Sequence, residues 1–224
     1  MPDSRQFDLI LFDLEGTLID FQWRLSDAVR EILPVLAKAG IEEERFGASP
    51  TYAGLYNTTH YMTRDWETQE ADRLFKQLTL IYEKYDRDAL SRWKPFPGVH
   101  ELLEKLSDSG YRMGVVSNCG AYAADTVLKR FNLYPYFEII LSRNHVSCLK
   151  PSPEGLKLAL EKLCVLPDRA LFVGDSINDI LAADKVPMPS CFLSSGESRV
   201  TGENADIATF RISLLSELAD ILAR

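Results

Sequence analysis

No stretch of the 224 residues approaches the roughly 20 consecutive apolar positions that a membrane-spanning helix needs. Basic tracts are missing too, because 25 lysines and arginines face 33 aspartates and glutamates, for a formal charge of −8. That balance argues against nucleic acid and against an anionic membrane as partners, while leaving room for a local cationic pocket around a small anion. Cysteine is scarce, and Cys119, Cys148, Cys164 and Cys191 show no paired metal-ligand spacing. Nothing at the N-terminus reads as a signal peptide, so a cytoplasmic protein with reduced thiols is the expectation. Internal repeats and low-complexity segments are also lacking. The 46% hydrophobic content that is present suffices for the core of one domain and a sizeable insertion.

The first strong signal is Leu9-Ile10-Leu11-Phe12, four apolar residues followed by Asp13 and, two positions on, by Glu15 and Gly16. Such a run suits a strand buried on both faces, as in parallel sheets. Side chains two apart on a strand share a face, so both acids can look into one pocket at the strand's carboxyl end; solvated acids capping a strand are the plainer alternative. After residue 93 strands and helices alternate. Val99, Leu102, Leu103 and Leu106 predict one helix, stopped by Gly110, before the strand "YRMGVVSN". A helix through Val127, Leu128 and Phe131 leads to the strand "FEIILS", and Ser152-Pro153 opens another helix through Leu156, Leu160 and Leu163. The strands "ALFVGD" and "SCFLSS" flank a short helix from Ile177 to Ala183, and Leu214, Leu215, Leu218, Ile221 and Leu222 predict a closing amphipathic helix. The pattern implies an α/β fold with a doubly wound parallel β-sheet.

Residues 19–92 read differently, with helical signals and no convincing strand. Helices are expected from Ser26 to Ala39, with Pro34 as a kink or restart, from Tyr52 to Met62, and after a Thr68 cap with Ala71, Leu74, Phe75, Leu78, Tyr82 and Tyr85 on one stripe. The division is therefore a core of residues 1–18 and 93–224 and an inserted all-helical domain of residues 19–92 placed above the two acids. Phe21, Gln22, Arg24, Tyr52, Asn57, His60, Tyr61 and Arg64 are its candidate ligand contacts, each also explicable as structural.

Three further strand ends carry polar residues: Ser117-Asn118, Lys150-Pro151 after "NHVSCL", and Gly174-Asp175 with Asp179 four residues later. Taken singly, the first is an ordinary turn, the second a solvated loop lysine, and the acids helix-capping groups. In order, with "DLEGT" and the helical insertion, they resemble the haloacid dehalogenase superfamily of phosphohydrolases, in its phosphoglycolate-phosphatase-like branch with a small helical cap and a Rossmann-like core. The resemblance spans nearly the whole chain. It implies Asp13 as a nucleophile that forms an aspartyl phosphate, with Glu15 as the proton-transfer group and Lys150 as a cation steadying acids and phosphate. It further implies Mg²⁺ held by Asp13, Asp175 and the backbone carbonyl of Glu15, with Asp179 just behind these ligands or bound through water, and phosphate oxygens held by Ser117 and Asn118.

One departure stands out, since most phosphatases of this family carry aspartate where Glu15 stands. The enolase-phosphatase of methionine salvage is similar in having glutamate there, although "VVSNCG" and Asp179 fit the phosphoglycolate-phosphatase branch better. The implied partner is a small phosphorylated metabolite, acted on by a monomer or a homodimer. Alternatives are a phosphomutase of the β-phosphoglucomutase kind and a phosphate-binding regulatory protein with little turnover. Dehalogenation is disfavoured, because that branch works without metal whereas these acids suit a cation. His60, His100 and His145 show no metal spacing.

Overall fold

The computed structural model describes residues 5–20, 22–194 and 207–222. Within them a six-stranded sheet has the order β3-β2-β1-β4-β5-β6, formed by β1 (Leu9–Phe12), β2 (Arg112–Val116), β3 (Ile139–Leu141), β4 (Ala170–Gly174), β5 (Ser190–Leu193) and β6 (Phe210–Ile212). All five neighbouring pairs are parallel, as the apolar strands predict.

The pleat explains the double winding. Ile10 and Phe12 face one side with Leu171 and Val173, where they pack with α4 (Val99–Asp108) and α5 (Ala121–Arg130). Leu9 and Leu11 face the other with Ala170 and Phe172, against α6 (Glu154–Leu163) and α7 (Ile177–Asp184). Strand order reverses beside β1: β2 and β3 extend the sheet one way, and β4, β5 and β6 the other. The crevice between the carboxyl ends of β1 and β4 is thus the switch point at which open α/β sheets bind ligands.

Between β1 and α4 the chain forms α1 (Leu25–Lys38), α2 (Tyr52–Thr63) and α3 (Thr68–Leu90). It leaves and returns side by side. Ile19 bridges Pro95, Asp20 N–H donates to Lys94 O at 2.9 Å, and Phe96 N–H donates to Leu18 O at 3.0 Å. The helices rest on the core through polar contacts with loop backbone: Asn57 pairs with both backbone groups of Leu149, at 2.8 and 2.7 Å.

Four local expectations need correction. α1 runs through Pro34 as one helix, without a restart. α3 is capped at Glu67, and Thr68 is its first helical residue rather than its cap. The closing amphipathic helix shrinks to a 3₁₀ turn at Leu215–Glu217 and α8 (Leu218–Leu222), with Leu214 60% exposed. Ahead of it lies β6, which the sequence reading did not foresee because an edge strand of three residues carries no alternation to detect.

Candidate active site

Asp13 follows β1 and Asp175 follows β4, so the two carboxylates flank the switch point. Asp179 joins them from the first turn of α7, held by a capping box in which Ser176 N–H and Oγ–H donate to Asp179 Oδ2 at 2.9 and 2.6 Å. Each of the three acids offers an oxygen within 4.8 Å of the others, and all three are buried. Backbone without side chain lets them approach. A Cβ on Gly16, at φ +87°, would lie 2.5 Å from Asp175 Oδ2, and one on Gly174 would lie 2.5 Å from Asp179 Cβ.

Lys150 supplies the counter-charge. Its Nζ lies 2.5 Å from Asp13 Oδ1 and 2.6 Å from Asp179 Oδ1, and donates to Val116 O at 2.9 Å. The side chain of Asn118 fixes the lysine's backbone, accepting from Lys150 N–H at 2.9 Å and donating to Lys150 O at 3.2 Å. Lys150-Pro151 is a cis peptide. Burial lifts Asp13 to about 6, Lys150 opposes that rise and Asp179 adds to it. For Lys150, burial favours the neutral amine, but the two carboxylates outweigh it and hold the ammonium above its ordinary range.

Glu15 sits on the edge of the same cleft, with Oε1 buried and without a hydrogen-bond partner among the described residues. Burial, then the charges of Asp86 and Asp13, push its carboxyl well up; Arg143 and Lys150 pull the other way. Asp86 of α3 and Arg143, just after β3, form an ion pair of 2.8 Å whose side chains are at most 3% exposed. Burial moves Asp86 up to about 7 and Arg143 down to about 10.

The cleft encloses about 320 Å³. Its core residues include Asp13, Glu15, Asn118, Asp175 and Asp179, while the helical segment contributes Trp23, Leu25, Thr51, Tyr52 and Ala53. Ser117 is buried, and its hydroxyl accepts from Cys119 N–H at 3.2 Å. Of the eight candidate contacts of the insertion, Tyr52 reaches the cleft. Gln22 bonds Asp20, His60 packs on Phe75 and Arg64 lies over the exposed ring of Tyr61. Arg24 pairs with Asp88, Asn57 holds Leu149, and Phe21 lies outside the described residues. Trp23 and Leu25 were missed. An aromatic soon after the first strand was the available signal.

The family model for haloacid dehalogenase-like hydrolases matches residues 10–193. The chain belongs to that family. Among curated relatives, the phosphoglycolate phosphatase of Neisseria meningitidis serogroup A is 31% identical over 218 residues, covering 95% of this chain and 91% of the relative. That of Vibrio parahaemolyticus is 28% identical, covering 98% of each. Among solved structures, a predicted phosphoglycolate phosphatase from Haemophilus somnus superposes with a TM-score of 0.66 at 23% identity, covering 98% of this chain and 99% of the other. A haloacid dehalogenase-family phosphatase from Thermococcus onnurineus gives 0.61 at 25% identity, covering 96% and 98%. This hydrolase thus shares its Rossmann-like core and inserted helices with phosphatases along their whole length. Among the described residues no helix is long and apolar enough to cross a membrane.

Proposed function

We propose that this hydrolase is a Mg²⁺-dependent phosphomonoesterase that works through an aspartyl phosphate on Asp13. The observation that carries the reading is the convergence of Asp13, Asp175 and Asp179 with Lys150 at the switch point. Three buried carboxylates within 4.8 Å are hard oxygen donors of the kind Mg²⁺ prefers, so the residues fit the ion. Asp13, Asp175 and the carbonyl of Glu15 would hold it, with Asp179 beside them. When bound, Mg²⁺ supplies positive charge that lets an anionic nucleophile approach an anionic phosphate.

The chain's own residues perform the remaining steps. An Asp13 oxygen bonds to phosphorus as the ester P–O bond breaks, and the departing alkoxide takes a proton from Glu15. That carboxyl, raised by burial, is suited to carry the proton at neutral pH. Glu15 then takes a proton from a water that attacks phosphorus, which frees phosphate and regenerates Asp13. Ser117, Asn118 and Lys150 hold the transferring oxygens, and residues 19–92 act as a cap that excludes water. The name phosphoglycolate phosphatase carried by its curated relatives supports a small phosphorylated metabolite as the substrate class. The test is hydrolysis of a generic alkyl phosphate with Mg²⁺ and with EDTA, together with trapping by beryllofluoride. Activity should vanish on chelation and return with Mg²⁺, and the trapped mimic should sit against Asp13. Full activity in EDTA, or a mimic in line with another residue, would refute the reading.

A further inference from the structure

The walls that the cap contributes to the cleft are neutral and largely apolar. Trp23 and Tyr52 meet edge to face with ring centroids 4.6 Å apart, and Leu25 and Ala53 lie alongside. Both aromatics are tied to the buried ion pair: Trp23 Nε1–H donates to Asp86 Oδ1 at 3.0 Å, and an Arg143 N–H donates to the Tyr52 hydroxyl. Gly120 N–H also donates to Asp86, at 3.1 Å, and a Cβ at Gly120 would come within 2.6 Å of Asp86 Oδ2 and 2.9 Å of Arg143 Nη2. The pair therefore joins cap to core at a point where no larger residue fits. It also engages the guanidinium of Arg143, which is turned to Asp86 and Tyr52 and lies 5.1 Å from the ring centroid of Tyr82. A cleft of about 320 Å³ falls in the range of small-molecule sites, which combine apolar walls with a few convergent polar groups.

We propose that Trp23, Tyr52 and Leu25 determine specificity by packing on the alcohol half of the substrate, so that the enzyme prefers phosphomonoesters of neutral alcohols bearing a ring or apolar face over carboxylate-bearing ones such as 2-phosphoglycolate. Asp86 and Arg143 are positioning residues that hold this wall. The proposal rests on the phosphatase reading and sharpens it. Aromatic packing and apolar burial favour the ring-bearing alcohol, whereas a leaving group with its own carboxylate would be desolvated against this wall, which has no Lys, Arg or His lining it among the described residues.

The test compares benzyl phosphate, ethyl phosphate and 2-phosphoglycolate as substrates of the Mg²⁺-loaded enzyme, and titrates their non-hydrolysable isosteres 2-phenylethylphosphonate, propylphosphonate and 3-phosphonopropanoate by calorimetry. Benzyl phosphate should exceed both others in kcat/KM by about tenfold or more, with the phosphonates ranked alike in affinity. Leu25→Ala, at a half-buried position, and Tyr52→Phe, which keeps the ring but loses the hydroxyl's bonds with Arg143 and with Asn118 O, should each shrink the benzyl-to-ethyl ratio several-fold. Equal or better use of 2-phosphoglycolate, or ratios unmoved in both variants, would overturn the proposal. If none of the phosphates were hydrolysed while the phosphonates kept their ranking, the phosphatase reading would fail and the wall would stand.

Discussion

Lys150 Nζ lies 2.5 Å from Asp13 Oδ1, and the same ammonium is 2.6 Å from Asp179. One buried cation thereby compensates two of the three clustered acids. Replacing it with methionine leaves those charges unmatched, and breaking a buried pair from one side typically costs about 3–5 kcal/mol. Lys150→Met should lower thermal stability accordingly in EDTA, recover part of it with Mg²⁺, and lose turnover by at least about a hundredfold. Lys150→Arg should not rescue, because a planar guanidinium cannot place one donor between two carboxylates as an ammonium does. Wild-type melting in Lys150→Met under EDTA would contradict this.

Asp13 makes the stability of the metal-free enzyme depend on pH. Its carboxyl stands at about 6 in the fold against an ordinary 3.8, so below about pH 4 the proton is bound in both folded and unfolded chains. As pH climbs from about 4 to about 6 the unfolded chain sheds it first, and the fold loses up to about 3 kcal/mol. Asp13→Asn removes that loss. In EDTA the variant should match wild type near pH 4 and melt higher near pH 7.5, while Mg²⁺ should stabilise wild type more than the variant. Parallel melting curves across that range would rule the account out.

Glu15→Gln retains size but cannot shuttle a proton. Turnover of an alkyl phosphate should fall by about 10²–10⁴, the usual range for general acid–base catalysis. An activated aryl phosphate should form aspartyl phosphate faster than the alkyl ester and then stall. Undiminished alkyl turnover would leave Glu15 with only its backbone carbonyl to contribute.

Gly16→Ala and Gly40→Ala form a matched pair. Both glycines have positive φ, +87° and +80°, but an added Cβ meets Asp175 Oδ2 at 2.5 Å in the first case and nothing within 4 Å in the second. Both variants should lose about 1–2 kcal/mol to backbone strain. Gly16→Ala alone should weaken Mg²⁺ binding, by about tenfold or more in calorimetry, because Asp175 has to move. Equal Mg²⁺ affinity in the two variants would show that the acid cluster tolerates the displacement.

The residues that were legible in the sequence share a trait: each sits where a local pattern ends. Asp13 closes an apolar run, Asp175 follows another, and Lys150 precedes a proline. The three helices between β1 and α4 were readable as helical signals, α3 from its apolar stripe. What escaped depends on contacts far apart in the chain. Asp86 and Arg143 are 57 positions apart, and nothing around either residue signals the other. Trp23 reads as one more aromatic until Asp86 and Tyr52 are found against it. Thr51, whose hydroxyl accepts from Gly54 N–H at 3.0 Å, is the cap that opens α2 and thereby fixes Tyr52 at the cleft.

Asn57 clamps the peptide of Leu149, the residue immediately before Lys150, by accepting its N–H at 2.7 Å and donating to its carbonyl at 2.8 Å. The acceptor lies on α2 and the amide just before Lys150, so that single proton is shielded only while the two stay in contact. Under the proposed function, in which residues 19–92 form a cap, deuterium uptake at Leu149 should time its opening. A bound phosphate mimic should slow it, and Asn57→Ala should accelerate it, without any label attached to the protein.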